Sequence, residues 1–246
     1  MHQALSTTRF NRRTILCGCC AALTGVRIVP AFATLGDDPA SAPLARNEPH
    51  HHVVFQNDLV RMMRVLIPPK SSTLWHEHNF DYVVTAVNGS NIHVEVAGDP
   101  KAVEGTMATS SVGYVNYDGK HFVHRVGNTS DVLNHQLAFE ILYQTPGSFS
   151  ASDRSSAPQY KMETDNNRIR VWRLKLAPGD VADMVSQKAP AVRIALSGER
   201  ILETDSNGQV KEIPIRSGDF AWLSASSRAI TNAGLTPLEL VEVELK

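Results

Sequence analysis

One constant offset relates the two halves of this 246-residue chain. Shifted by 109 positions, residues 57–89 lie over residues 166–198 without a gap. Seven of these 33 positions are identical: Asn57/Asn166, Arg61/Arg170, Arg64/Arg173, Pro69/Pro178, Val83/Val192, Ala86/Ala195 and Gly89/Gly198. Chance would leave about two, so the chain is read as a duplicated unit whose copies fold alike.

Each copy reads as short strands. Leu59, Met62, Met63, Val65 and Ile67 run into a turn at Pro68-Pro69, and residues 82–87 are mostly apolar and β-branched. Ile92, Val94 and Val96 alternate with Asn91, His93 and Glu95, the period of a strand with one buried face. The chain ends in Leu238, Leu240, Val241, Val243 and Leu245, interleaved with glutamates. No long helical period occurs. Short strands broken by Gly and Pro turns predict an all-β sandwich or small barrel.

Composition sets the class. Hydrophobic residues make up 42% and charged residues 20%, with a net charge of −1. That balance excludes a disordered chain and argues against a nucleic-acid binder. Cys17, Cys19 and Cys20 are the only cysteines, so no disulfide framework is expected. Residues 1–33 carry Arg12-Arg13, an apolar stretch from Thr14 to Val26 and the small-x-small site Ala31-Phe32-Ala33. This order is that of a secretory signal peptide of the twin-arginine type. The apolar stretch is too short for a comfortable membrane span. A mature chain starting near Thr34, exported to a bacterial periplasm or beyond and without a membrane span, is expected. The remaining boundaries are read as a linker at 34–48, a first domain at 49–145, a second linker at 146–159 and a second domain at 160–246.

Nine histidines lie between His50 and His135, and the second copy has none. In His76-Glu77-His78 the two imidazoles share one face of a strand while Glu77 faces away. Two nitrogens on one side are half of a site suited to Fe, Zn, Mn, Cu or Ni. Downstream, His124 follows Gly113 after ten residues and precedes Asn128 by four positions.

These residues resemble the cupin superfamily. Lys70, His76, His78, Tyr82 and Gly89 are similar to its first motif, and Gly113, Gly119, His121, His124 and Asn128 to its second. With the repeat, the resemblance is to a bicupin. It implies two tandem double-stranded β-helix (jelly-roll) barrels after the signal peptide. It also implies a metal held by His76, His78 and His124 in the first barrel. The chain departs from the pattern: Lys70 stands for a glycine, and Tyr82 stands where the family has a glutamate ligand. Tyr82 shares the parity of the two histidines and should point inward, whereas Asp81 should point out unless a bulge re-aims it. Tyr82 is read as a catalytic hydrogen-bond donor or substrate contact, with direct ligation and plain packing as alternatives. His50-His51-His52 is read as a solvated edge, His121 as a surface turn residue, His93 and His135 as outward strand residues, and Trp75 as packing.

In the second copy Val185, Gln187 and Ala191 replace His76, His78 and Tyr82. The third ligand maps to Ala229 counted from Gly218, or to Arg228 counted back from Asn232. Neither set can hold a transition metal, so this copy is expected to have kept packing and lost chemistry. The functional expectation is an exported, oxygenase-like enzyme acting on a small organic substrate at one divalent metal. Iron comes first, with Mn, Zn, Ni and Cu as alternatives. The other reading is a non-catalytic module that binds metal or a small ligand. Paired barrels also suit association as a homodimer.

Overall fold

Alternating apolar residues become strands throughout. A computed structural model describes residues 38–117, 119–143 and 145–246; the leader expected at residues 1–33 lies outside them. The first repeat forms β1 (His51–Gln56), β2 (Val60–Ile67), β3 (His76–His78), β4 (Tyr82–Asn88), β5 (Ser90–Val96), β6 (Val103–Met107), β7 (Val112–Val115), β8 (Phe122–Asn128) and β9 (Asn134–Ile141). The second forms β10 (Tyr160–Asp165), β11 (Ile169–Leu176), β12 (Val181–Gln187), β13 (Ala191–Ser197), β14 (Arg200–Asp205), β15 (Val210–Pro214), β16 (Phe220–Leu223), β17 (Ser226–Asn232) and β18 (Leu238–Leu245).

Each repeat closes as a jelly roll of two antiparallel sheets. The larger sheets run β1-β2-β9-β4-β7 and β10-β11-β18-β13-β16, and the smaller ones β3-β8-β5-β6 and β12-β17-β14-β15. The copies match in register. Even the bulge between Val53 and Phe55 recurs 109 positions later, between Met162 and Thr164. The offset shrinks downstream, so that β9 lies over β18 at 104. The difference arises mainly between β7 and β8, where residues 116–121 stand against only 224–225 in the second copy.

Both faces of the large sheets are buried, which is why their strands read as nearly continuous apolar runs. Val60, Met62, Val83, Leu137, Phe139 and Ile141 face out of the first barrel and meet Ile169, Val171, Ile194, Val241 and Val243 of the second. Met63, Val65, Ile67 and Tyr82 alternate with them and face into the first barrel. A pair of arginines clasps this junction. Arg64 Nη2 donates to the Gly218 carbonyl (3.0 Å), and Arg173 Nη2 donates to the Ser110 carbonyl (2.8 Å).

The segments read as linkers also pack against the barrels. Ala45 and Glu48 are buried ahead of β1, and Arg154 and Ala157 are buried ahead of β10.

Candidate metal centre

The ligand geometry begins with strand pairing. β3 runs antiparallel to β8, which sets His76 directly opposite His124. The period of two then brings His78 to the same face. One ring nitrogen from each of the three lies within 4.8 Å of the others. His78 Nε2 and His124 Nε2 are 3.1 Å apart, closer than two bare lone pairs can rest. Either a proton or a cation must lie between them. His76 Nδ1 donates to the Leu74 carbonyl (2.9 Å), which fixes its tautomer and leaves Nε2 as the acceptor.

Burial keeps all three rings neutral. It is the largest influence on His76, whose pKa falls to about 4, with the nearby His51 charge adding to the effect. His78 and His124 are pushed well below the usual imidazole range, again by burial first and then by their histidine neighbours. Neutral imidazoles with lone pairs turned inward are what a transition metal requires. The donor set therefore fits a divalent ion with open coordination positions. His78 Nδ1 is buried without a hydrogen-bond partner, its ring stacked on Tyr117 at 5.1 Å.

Tyr82 points inward, its ring 4.7 Å from that of His78. Burial, and then the neighbouring Tyr117 and Glu140, push its phenol well above the ordinary value, so it stays a donor. Asp81 faces the other way: it accepts from Tyr114 Oη (3.0 Å) and lies 3.1 Å from Arg168 Nε of the second barrel. A cavity of about 140 Å³ opens beside the cluster, lined by His51, Tyr82, Tyr117 and Gln136 among others.

His51 corrects the sequence reading. It is not part of a solvated edge: it is 7% exposed and its ring lies 4.7 Å from that of His76. Its Nδ1 donates to Glu48 Oε2 (2.5 Å), and His50 Nδ1 donates to Glu48 Oε1 (3.0 Å). Glu48 also accepts from the Leu74 amide (3.0 Å). Burial would raise the Glu48 pKa, but the two histidines and that amide outweigh it and hold it at about 2. No sequence signal separates His51 from its two neighbours; its register does, since it pairs with Val65, an inward position of β2.

Other readings find their places. His121 is exposed and paired with Glu77. Trp75 is buried under the Arg125 guanidinium. His135 faces out of the barrel and meets Arg64. Asn128 is a tie, not a ligand: its Nδ2 donates to the carbonyls of Ile67 and Val132, as Asn232 does to those of Leu176 and Thr236. In the second barrel Val185 pairs with Arg228, so Arg228 and not Ala229 occupies the place of His124.

No protein-family model and no curated protein sequence matches the chain. Solved structures do. AerE from Microcystis aeruginosa superposes with a TM-score of 0.57 at 8% identity, over 81% of this chain and 98% of that one. The Bacillus subtilis oxalate decarboxylase, an enzyme with Mn(II) centres, superposes with a TM-score of 0.54 at 12% identity, over 76% and 69%. The chain has the bicupin fold. Among the described residues one three-histidine cluster, in the first barrel, offers ligand atoms that could hold a metal ion. Among the described residues no helix is long and apolar enough to cross a membrane.

Proposed function

We propose that this bicupin is a metal-dependent, oxygenase-like enzyme acting on a small organic substrate. His76, His78 and His124 hold one divalent transition metal, and Tyr82 donates a hydrogen bond or a proton to the substrate. The observation that carries the reading is the 3.1 Å approach of two neutral imidazole nitrogens, one buried and one half-buried, joined by a third. When bound, the ion supplies Lewis-acid polarisation and, if redox-active, electron transfer to substrate or O₂.

The remaining work falls to the chain. Val65, Ile67 and Val84 give the cavity an apolar wall, which strengthens polar contacts made against it. Tyr82 keeps its O–H available as a donor, because burial holds its phenol protonated. His51, its Nδ1 held by Glu48, presents its ring to the cavity wall. A volume of about 140 Å³ matches roughly five waters, which suits a substrate of a few heavy atoms. Oxalate decarboxylase is named for a substrate of that size, so manganese and small carboxylic acids join iron and O₂-dependent substrates in the test. Export rests on Arg12-Arg13 and the apolar stretch that follows.

Elemental analysis of the untagged protein tests this directly. About one ion per chain is expected, lost in His78→Ala and His124→Ala and kept in Gln187→Ala and Tyr82→Phe. O₂ uptake with thiols, catechols, flavonols and diketones, and CO₂ release from small carboxylic acids, should stop in Tyr82→Phe. Metal-free protein as purified, unable to take up any of the five metals, would overturn the proposal. Metal loading with no turnover across the panel would instead favour the binding module.

A further inference from the structure

The second barrel has arginine at one of the three histidine positions and a further buried arginine beside it. Arg228 stands where His124 does, Arg193 where Val84 does, and Tyr160 where His51 does. Arg154, Arg193 and Arg228 are 4–5% exposed and surround Glu242, which is 1% exposed. Arg154 Nη1 and Arg193 Nε donate to Glu242 (2.6 and 2.8 Å), and Arg193 Nη1 reaches Glu203 at 2.8 Å. Glu244 lies between Arg154 and Arg170, 3.7 Å from each. Among the described residues Arg228 has no carboxylate within 4.0 Å; its Nη2 donates to the Ser224 carbonyl and Ser226 Oγ.

Arg170 is matched by Glu244 and by Asp165, and Arg154 and Arg193 by Glu242, Glu244 and Glu203, which leaves Arg228 as the guanidinium of the cluster without a paired carboxylate among the described residues. Arg228 Nε and Nη1 and Arg193 Nη2 are buried and without partners. An uncompensated buried guanidinium is expensive, and an anion relieves it.

Room for an anion lies beside Arg193. A cavity of about 280 Å³ is lined by Arg193 together with Ile201, Ile213, Ile215 and Phe220. Arg64 also lines it, held by His135 and the Gly218 carbonyl and, among the described residues, with no carboxylate within 4.0 Å. Asp219, the one acidic residue in the lining, accepts from the Arg216 amide. The volume matches roughly nine waters. We infer that the second barrel binds a small organic monocarboxylate, its carboxylate on Arg193 near Arg228 and its apolar body against Ile201, Ile213 and Phe220. This site is independent of the metal reading.

Calorimetric titration with benzoate tests it, with benzamide as the uncharged isostere and chloride as the bare anion. One benzoate per chain is expected, at least about tenfold tighter than benzamide. Binding should persist in His78→Ala, His124→Ala double-mutant protein and be lost in Ile213→Trp, which fills the cavity without touching an ion pair. Arg193→Gln should lose it too, but that variant also strips Glu242 of a partner, so Ile213→Trp decides if it fails to fold. Equal binding of benzamide, competition by millimolar chloride alone, binding that survives Ile213→Trp, or no binding would each overturn the inference.

Discussion

Glu48 does at one residue what the metal ligands need from several. Its carboxylate holds His51 and the His50 amide on one oxygen and the His50 ring and the Leu74 amide on the other. The Leu74 carbonyl in turn fixes His76. A single buried side chain thus orients a ligand it never touches. Glu48→Gln keeps the shape but loses the charge and one acceptor oxygen. Metal affinity is expected to fall by about 10–100-fold, as it does when such outer partners are removed. Competition with a chromophoric chelator measures this, and wild-type affinity would show that Leu74 is held by packing alone. Neither Glu48 nor His51 was legible in the sequence. A histidine triplet ahead of a strand has two registers, and only pairing with β2 decides which imidazole turns inward. His76 and His78 were legible because their spacing fixes their common face.

At the scale of elements, the duplicated glycines were legible while their reasons were not. Gly198 has φ +124°, a conformation that side chains avoid. Gly89 does not; instead a Cβ there would meet the Met107 carbonyl oxygen at 1.9 Å. Gly105, on β6, has open space around it. Gly89→Ala should therefore cost about 1–3 kcal/mol through forced backbone movement, whereas Gly105→Ala should stay within about 0.5 kcal/mol of wild type. Urea midpoints of the two variants check the contrast. The repeat alignment failed at the same scale, between β7 and β8. Residues 116–121 outnumber residues 224–225, so counting from a glycine and counting from an asparagine gave different partners for His124. The longer connection also carries Tyr117, whose ring covers His78. The asparagine count gives the correct partner because Asn128 and Asn232 tie the same carbonyl positions in both barrels. A structural tie outlasts a ligand when chemistry is lost from one copy.

Across the whole molecule, the two barrels share an apolar junction and divide their polar interiors by charge type. The first interior is neutral imidazole; the second is a buried lattice of arginine and glutamate. This division gives the second barrel its own acid limit. Burial alone would raise the Glu242 pKa, but Arg154 and Arg193 overcome it and lower it from 4.5 to about 2. The native state then binds fewer protons than the unfolded one between these values. The stabilisation is complete above pH 4.5 and is lost as pH falls through about 2. Glu242→Gln removes that dependence and strands two guanidinium groups. It should cost about 3–5 kcal/mol at pH 7, and far less relative to wild type near pH 2, where wild-type Glu242 is itself becoming protonated. Urea unfolding at pH 7, 4.5 and 2.5 measures both effects. The gap between variant and wild type should narrow as the pH falls below 4.5. A gap that stays constant down to pH 2.5 would mean that packing, not the Arg154–Glu242–Arg193 charges, holds the centre of the second barrel.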